Sequence, residues 1–326
     1  MTTVLPLQRR GISDSRLALG CMSLGGGWND EPITAEQLRQ GRETVEAALE
    51  CGITLYDHAD VYKHGKAERV FGHALKEQPG LREQIVLQSK CGIRFPGGDR
   101  APHRYDFSGG HIVGSVESSL ERLGTAYLDI LLLHRPDPLL DPEEVAEAIH
   151  RLKTAGKVRY FGVSNMSAAQ MQLLQTYCDE PLIVNQMEMS LLQTGFVDTG
   201  VHINQAEARD SVFPEGLMEH CRMKGVQLQA WGPLAKGLLS GRDLGGQPER
   251  VVRTAELVRT LAREKETAPE AIVLAWLLRH PSAIQPVIGT ANPDRIRACA
   301  QAEQVALSRE EWYMLYLSSR GLTKMP

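Results

Sequence analysis

A carboxylate, a phenol, an amine and an imidazole stand at regularly placed points of this chain. Asp57, Lys90 and His134 each follow a short apolar stretch, Ile53–Tyr56, Ile85-Val-Leu-Gln-Ser89 and Leu128–Leu133, and Tyr62 lies five residues beyond Asp57. A phenol with an ordinary pKa of about 10 is a poor acid near neutrality. A neighbouring ammonium stabilises the phenolate, which predicts a lowered pKa for Tyr62 and easier proton donation. Lys90 could supply that charge, Asp57 could keep Lys90 charged and oriented, and His134 could hydrogen-bond a substrate oxygen. Such a set polarises and protonates a carbonyl oxygen while something else attacks carbon. No covalent nucleophile other than Lys90 stands among these residues, so hydride from a cofactor is the expected partner chemistry.

These residues share one site only if the elements bring them together. Eight short apolar runs recur, at Leu17–Leu19, Ile53–Tyr56, Ile85–Leu87, Leu128–Leu133, Val158–Val163, Leu182–Val184, Val226–Ala230 and Ile284–Ile288. Amphipathic segments with helix-start signatures alternate with them. Thr34-Ala-Glu-Gln37, Ser167-Ala-Ala-Gln170, Thr267-Ala-Pro-Glu270 and Ser308-Arg-Glu-Glu311 fit the reciprocal capping box. Asp141-Pro142 and Asn292-Pro293 supply an N-cap followed by Pro at the first helical position. The alternation predicts an α/β fold, a closed (β/α)₈ TIM barrel forming a single domain over residues 1–326, with an N-terminal cap. A doubly wound dinucleotide fold would carry G-x-G-x-x-G after its first strand; Gly25-Gly-Gly27 lacks that spacing.

In such a barrel the residues just past each strand converge on one mouth. That set holds Asp57, Lys90, His134, Ser164, Asn165, Gln186, Trp231, Gly289 and Thr290. Two long connections, Gly92–Gly110 and Glu188–Glu215, are expected over the same face, where long ordered loops are usually functional. By position, Trp28 and His58 are expected to line a substrate pocket.

Composition removes other classes. The 326 residues carry 36 Lys+Arg against 40 Asp+Glu, a net charge of −4, which disfavours general nucleic-acid binding. Apolar runs end far short of the roughly 20 residues that span a bilayer. The six cysteines show no C-x-x-C spacing and no adjacent His cluster, so neither a metal site nor a disulfide framework is expected. A cytoplasmic monomer with free thiols is the expectation.

The motifs resemble those of the aldo-keto reductases, and of their bacterial predicted oxidoreductase subgroup in particular. They run through Gly52-Ile-Thr-Leu-Tyr-Asp57 with Tyr62, Ser89-Lys90, Leu128-Asp-Ile-Leu-Leu-Leu-His134 and Gly156-Lys-Val-Arg-Tyr-Phe-Gly-Val-Ser-Asn165. Val184-Asn-Gln186, Gln229-Ala-Trp-Gly-Pro-Leu-Ala-Lys-Gly237 and Pro286-Val-Ile-Gly-Thr290 complete the series. The resemblance implies NADP(H)-dependent reduction of an aldehyde or ketone by a tetrad of Asp57, Tyr62, Lys90 and His134, with Tyr62 as general acid. It implies that Ser164, Asn165 and Gln186 hold the nicotinamide carboxamide and that Trp231 stacks on the ring. The segment Gly232, Pro233, Leu234, Ala235, Lys236 and Gly237 would follow the pyrophosphate. Gly289, Thr290, Asn292 and Arg295 would receive the 2′-phosphate, at a helix N-terminus suited to anions. Gly289 stands where some members carry Lys, and Ala298-Cys299 replaces a Glu-Asn pair. Two other readings remain: a nicotinamide-binding sensor or regulatory subunit with little turnover, and a Schiff-base aldolase using Lys90.

Overall fold

The computed structural model describes residues 4–97 and 101–325. Eight parallel strands close into a barrel in sequence order: β1 (Ala18–Gly20), β2 (Leu55–Asp57), β3 (Val86–Cys91), β4 (Leu128–Leu133), β5 (Val158–Ser164), β6 (Leu182–Glu188), β7 (Gln227–Trp231) and β8 (Gln285–Ile288). β8 returns to β1 with Ala18 opposite Val287, so the sheet has no free edge. Every residue of β3 and of β4 is buried, as a parallel sheet wrapped in helices requires. At the end where the strands begin, Leu7 of the short helix Pro6–Arg9 packs with Ala18, Leu55, Val86, Ile130 and Val184, forming the expected N-terminal cap.

Helix starts follow the sequence signals with one exception. Thr34 accepts from the Gln37 amide and Gln37 bonds back to the Thr34 amide, opening the helix Ala35–Glu50. Ser167 and Ser308 do the same for their helices. The box expected at Thr267 does not form. Pro269 occupies the first position of the helix Pro269–Leu278 and holds Ala268 extended, so Ala268 becomes the N-cap. Thr267 Oγ1 and the Ala268 amide instead both donate to Gln301 Oε1, each at 2.9 Å.

The long connections divide. Gly92–Gly110 contains a short antiparallel pair, Ile93–Arg94 with Arg104–Tyr105, while its residues 98–100 lie outside the described part. Phe95, His103 and Tyr105 of this segment join Trp28 and His64 in a cluster of aromatic rings at the ends of β1, β2 and β3. Glu188–Glu215 departs from the expectation that it roofs the mouth. Its helix Gly195–Val201 is turned onto the outer layer, because Phe196 buries its ring edge-on against Trp276 and Asp198 accepts a 2.7 Å hydrogen bond from Tyr316. In that layer Trp276 and Trp312 stack with centroids 5.0 Å apart, and each indole N–H donates to the other residue's carbonyl at 3.1 and 3.0 Å. These contacts fix the C-terminal helix Arg309–Arg320 to the barrel.

Candidate active site

β3 runs from an apolar start into Gln88, Ser89 and Lys90, and Lys90 ends up 1 % exposed inside the mouth. A buried ammonium needs partners for all three protons. Lys90 Nζ donates to Asp57 Oδ2 at 2.7 Å, to the His58 carbonyl at 2.9 Å and to the Tyr62 hydroxyl oxygen at 3.0 Å. Burial works against this charge, but Asp57 and Tyr62 outweigh it and hold the lysine above its ordinary value. Because Tyr62 Oη accepts from Lys90, the phenolic proton is left to point elsewhere.

For Tyr62 the sequence argument gave the wrong net direction. Burial raises its pKa and outweighs the lowering by Lys90, to which Asp57 adds a further raising influence. The phenol is a held proton rather than an already acidic one, and Lys90 acts by limiting the cost of releasing it. The His134 ring meets Tyr62 edge-on with centroids 6.0 Å apart. Burial, reinforced by Lys90 and Arg135, pushes the His134 pKa well below the ordinary histidine range, so the imidazole is neutral. Its Nδ1 has no hydrogen-bond partner among the described residues.

The structure brings Ser164, Asn165, Gln186 and Trp231 together beside this group. Ser164 Oγ donates to the Gln186 carbonyl at 2.9 Å, Asn165 Nδ2 donates to Ser164 Oγ at 2.7 Å, and Trp231 Nε1 donates to Asn165 Oδ1 at 3.1 Å. Asn165 sits at φ +58°, a left-handed conformation that Asn tolerates and that turns its amide toward Trp231. Arg135, which the sequence reading passed over, places its guanidinium 5.4 Å from the centroid of the Trp231 ring. Its only signal was its place directly after His134.

One expectation is corrected. His58 does not line a pocket: it is fully buried, with its ring 4.6 Å from that of Phe71, and burial lowers its pKa to about 3. Asn292 Oδ1 accepts from the amides of Asp294 and Arg295, capping the helix Pro293–Ala300, so its Nδ2 is the group it has to offer an anion. Trp28 is half exposed, with Lys63 over its ring at 5.2 Å.

The remaining residues suit a phosphate-bearing dinucleotide. Gly232–Gly237 forms a tight turn in which Ala235 and Lys236 take positive φ. Lys236 and Arg295 are exposed cations that make no ion pair among the described residues, and the Thr290 hydroxyl oxygen accepts from the Asn292 amide at 3.1 Å. Trp231 ends β7 directly before that turn, and Gln186 lies on the neighbouring β6 opposite Gln229. Two hollows of about 570 and 430 Å³ elsewhere are lined by Glu256, Arg259 and Arg263, and by Arg69, Lys76 and Arg122; neither includes a residue of the strand-end cluster. No group of three or more possible metal ligands occurs among the described residues.

Comparison with known proteins agrees with this geometry. A sequence model of the Aldo/keto reductase family matches residues 16–316. A protein of Agrobacterium fabrum named 6-dehydroglucose reductase is 38 % identical over 97 % of this chain and 99 % of its own length. Oxidoreductase YdhF of Escherichia coli is 35 % identical over 98 % of this chain and 99 % of its own. A crystal structure of an aldo-keto reductase from Klebsiella pneumoniae in complex with NADPH superposes with a TM-score of 0.73 at 26 % identity, covering 97 % of this chain and 94 % of that one. A closed parallel barrel with a buried lysine bridging carboxylate and phenol, matched along nearly its whole length, places the chain in the aldo/keto reductase family.

Proposed function

We propose that this chain reduces a small aldehyde or ketone to the alcohol with NADPH, Tyr62 giving the proton to the carbonyl oxygen. The observation that carries the reading is the full engagement of Lys90 by Asp57, the His58 carbonyl and Tyr62. A bound reduced nicotinamide would supply the hydride. Ser164, Asn165, Gln186 and Trp231 would hold its ring, the turn Gly232–Gly237 its pyrophosphate, and Gly289, Thr290, Asn292 and Arg295 its 2′-phosphate. Tyr62 has its acceptor lone pair occupied by Lys90, so its O–H is the donor offered to substrate. As the proton leaves, the phenolate is stabilised in place by an ammonium 3.0 Å away, with no reorganisation needed. Neutral His134 can hold the same carbonyl oxygen without competing for the proton.

The same geometry opposes the Schiff-base reading. An attacking lysine must be neutral with a free lone pair, whereas Lys90 is held charged with all three protons donated. Trp28, His64 and Phe95 offer a substrate an apolar wall on one side of the mouth. The 6-dehydroglucose named for the Agrobacterium relative is a sensible first substrate beside simple aldehydes. All groups named lie within one chain, which fits a monomer, and the six cysteines are free, which fits the reducing cytoplasm.

The test is NADPH oxidation over a panel of aldehydes and ketones, with Tyr62→Phe beside wild type. The variant should lose about 10²- to 10⁴-fold in kcat, the usual worth of a general acid, while binding NADPH almost unchanged. Equal turnover by the variant would remove Tyr62 from the reaction. Tight NADPH binding by wild type with no turnover on any carbonyl would instead favour a nicotinamide sensor.

A further inference from the structure

Behind the mouth, the barrel interior contains four glutamines that hydrogen-bond one another. Gln88 on β3, Gln186 on β6, Gln229 on β7 and Gln285 on β8 are all buried, at 2 % exposure or less. Gln88 Nε2 donates to Asp57 Oδ1 at 2.5 Å and to Gln229 Oε1 at 2.9 Å. Gln186 Nε2 donates to the same Gln229 oxygen at 3.0 Å. Gln229 Nε2 donates to Gln285 Oε1 at 3.0 Å, and Gln285 Nε2 donates to the Ser15 carbonyl at 2.7 Å.

The direction of each amide in this ladder is dictated by its ends. The Ser15 carbonyl and the Asp57 carboxylate can only accept. A chain of amides strung between two acceptors must donate at both ends, so one member gives both of its protons and is left with an oxygen to spare. That member is Gln88, whose Oε1 is buried with no partner among the described residues. Gln229 is then locked: turning its amide over would set its NH₂ against the NH₂ groups of Gln88 and Gln186 and its oxygen against that of Gln285. Gln186 is locked in turn, with Nε2 bound below and Oε1 offered at the strand end.

We propose that Gln229 is a positioning residue joining the two halves of the active site, fixing Asp57 through Gln88 and the outward-facing oxygen of Gln186 with one carbonyl. The inference rests on the carbonyl-reductase reading for what the two halves do. Gln186 so oriented is an acceptor for the NH₂ of a nicotinamide carboxamide, and Asp57 so held keeps Lys90 in register with Tyr62. Gln229 links Gln186 directly, and Asp57 through Gln88, to one carbonyl oxygen.

The experiment compares Gln229→Leu with Gln227→Leu. Gln227 is an equally buried glutamine on the same strand that bonds only backbone carbonyls, of Leu228 and Ala283, outside the ladder. In Gln229→Leu the dissociation constant for NADPH, read by quenching of protein fluorescence, should rise about tenfold, the worth of about one hydrogen bond. The alkaline limb of its kcat/KM profile should also move to higher pH, because Lys90 no longer sits in fixed register to stabilise the phenolate. Gln227→Leu should show neither change. A folded Gln229→Leu with wild-type affinity and wild-type limb overturns the inference, and so does a Gln227→Leu that reproduces both effects. If Gln229→Leu does not fold, Gln229→Glu carries the test. Its protonated carboxyl can accept from Gln88 and Gln186 and donate to Gln285, so affinity should match wild type near about pH 6 and fall as the carboxylate forms beside Asp57. An affinity for NADPH that tracks wild type at every pH, or is equally weak at every pH, overturns it. Since the affinity measurement needs no turnover, a wild type that binds NADPH and reduces nothing ends the functional reading alone.

Discussion

Lys90 and Asp57 have side chains 0 % and 3 % exposed, so their ion pair belongs to the interior, where removing one partner strands the other. Lys90→Met should therefore cost about 3–5 kcal/mol in denaturant unfolding as well as activity. The double variant Asp57→Asn/Lys90→Met should recover most of that stability and none of the turnover, which separates the fold's use of the pair from the chemistry's. A double variant as unstable as Lys90→Met would contradict this account. His58 makes a second prediction at this scale. Its native pKa of about 3 lies below the unfolded value of about 6.5, so over that interval the unfolded chain binds the extra proton. Stability contributed by the neutral ring is full above about pH 6.5 and is lost as pH falls. His58→Leu should keep a larger fraction of its pH 7 stability at about pH 5 than wild type does, measured by thermal melts at both pH values.

Among the elements, the helices Ala35–Glu50, Lys66–Glu77 and Gly109–Leu123 pack side by side around the first strands. Gly72 sits where the second meets the end of the third. A Cβ there would lie 2.5 Å from the Arg122 carbonyl oxygen and 2.9 Å from the Leu123 carbonyl, both backbone atoms that cannot swing aside. Gly72→Ala gains about 1 kcal/mol of helix propensity but forces the two helices apart, which costs about 1–3 kcal/mol or more. The net should be a loss, visible as a lower urea midpoint with unchanged slope; a gain in midpoint would mean the helices separate freely. All eight strands were legible as apolar runs, because a strand sealed on both faces has no polar period to disguise it. Their far ends were marked by polar groups rather than by apolar ones. Gln88, Ser89 and Lys90 belong to β3, and Asn185 through Glu188 to β6, although a run of apolar letters stops short of them. Glutamines normally belong to the surface, and what keeps Gln88, Gln186, Gln229 and Gln285 inside is one another, on strands up to 197 residues apart in sequence (Gln285 minus Gln88). No spacing rule in one dimension reports such a partnership. The tetrad was legible because its members sit at strand ends; the sign of the Tyr62 shift was not, since it depends on how dry the mouth is.

For the molecule as a whole, the C-terminal helix acts as a strap. Asp198 accepts from Thr194 and Tyr316 and forms an ion pair with Arg320 at 3.3 Å, joining the connection after β6 to the last helix. Tyr316→Phe leaves Asp198 with Thr194 and Arg320 and should lower unfolding free energy by about 1.5–3 kcal/mol, the range for a hydrogen bond to a charged group. Activity should hold, because the hydrogen bonds of Tyr316 run to Asp198 and Ser319 and not to a strand-end residue; a large loss of kcat would show that the outer layer feeds into the mouth. The tryptophans carry one more consequence. Of the four, Trp28 and Trp231 border the mouth, while Trp276 and Trp312 lie face to face at 10° in the outer layer. Light therefore reads the two regions separately: ligand quenching draws on the first pair, and the closely stacked second pair should give a coupled circular-dichroism band that vanishes when the last helix lifts off. One unlabelled sample can thus report an occupied mouth and a detached strap as independent signals.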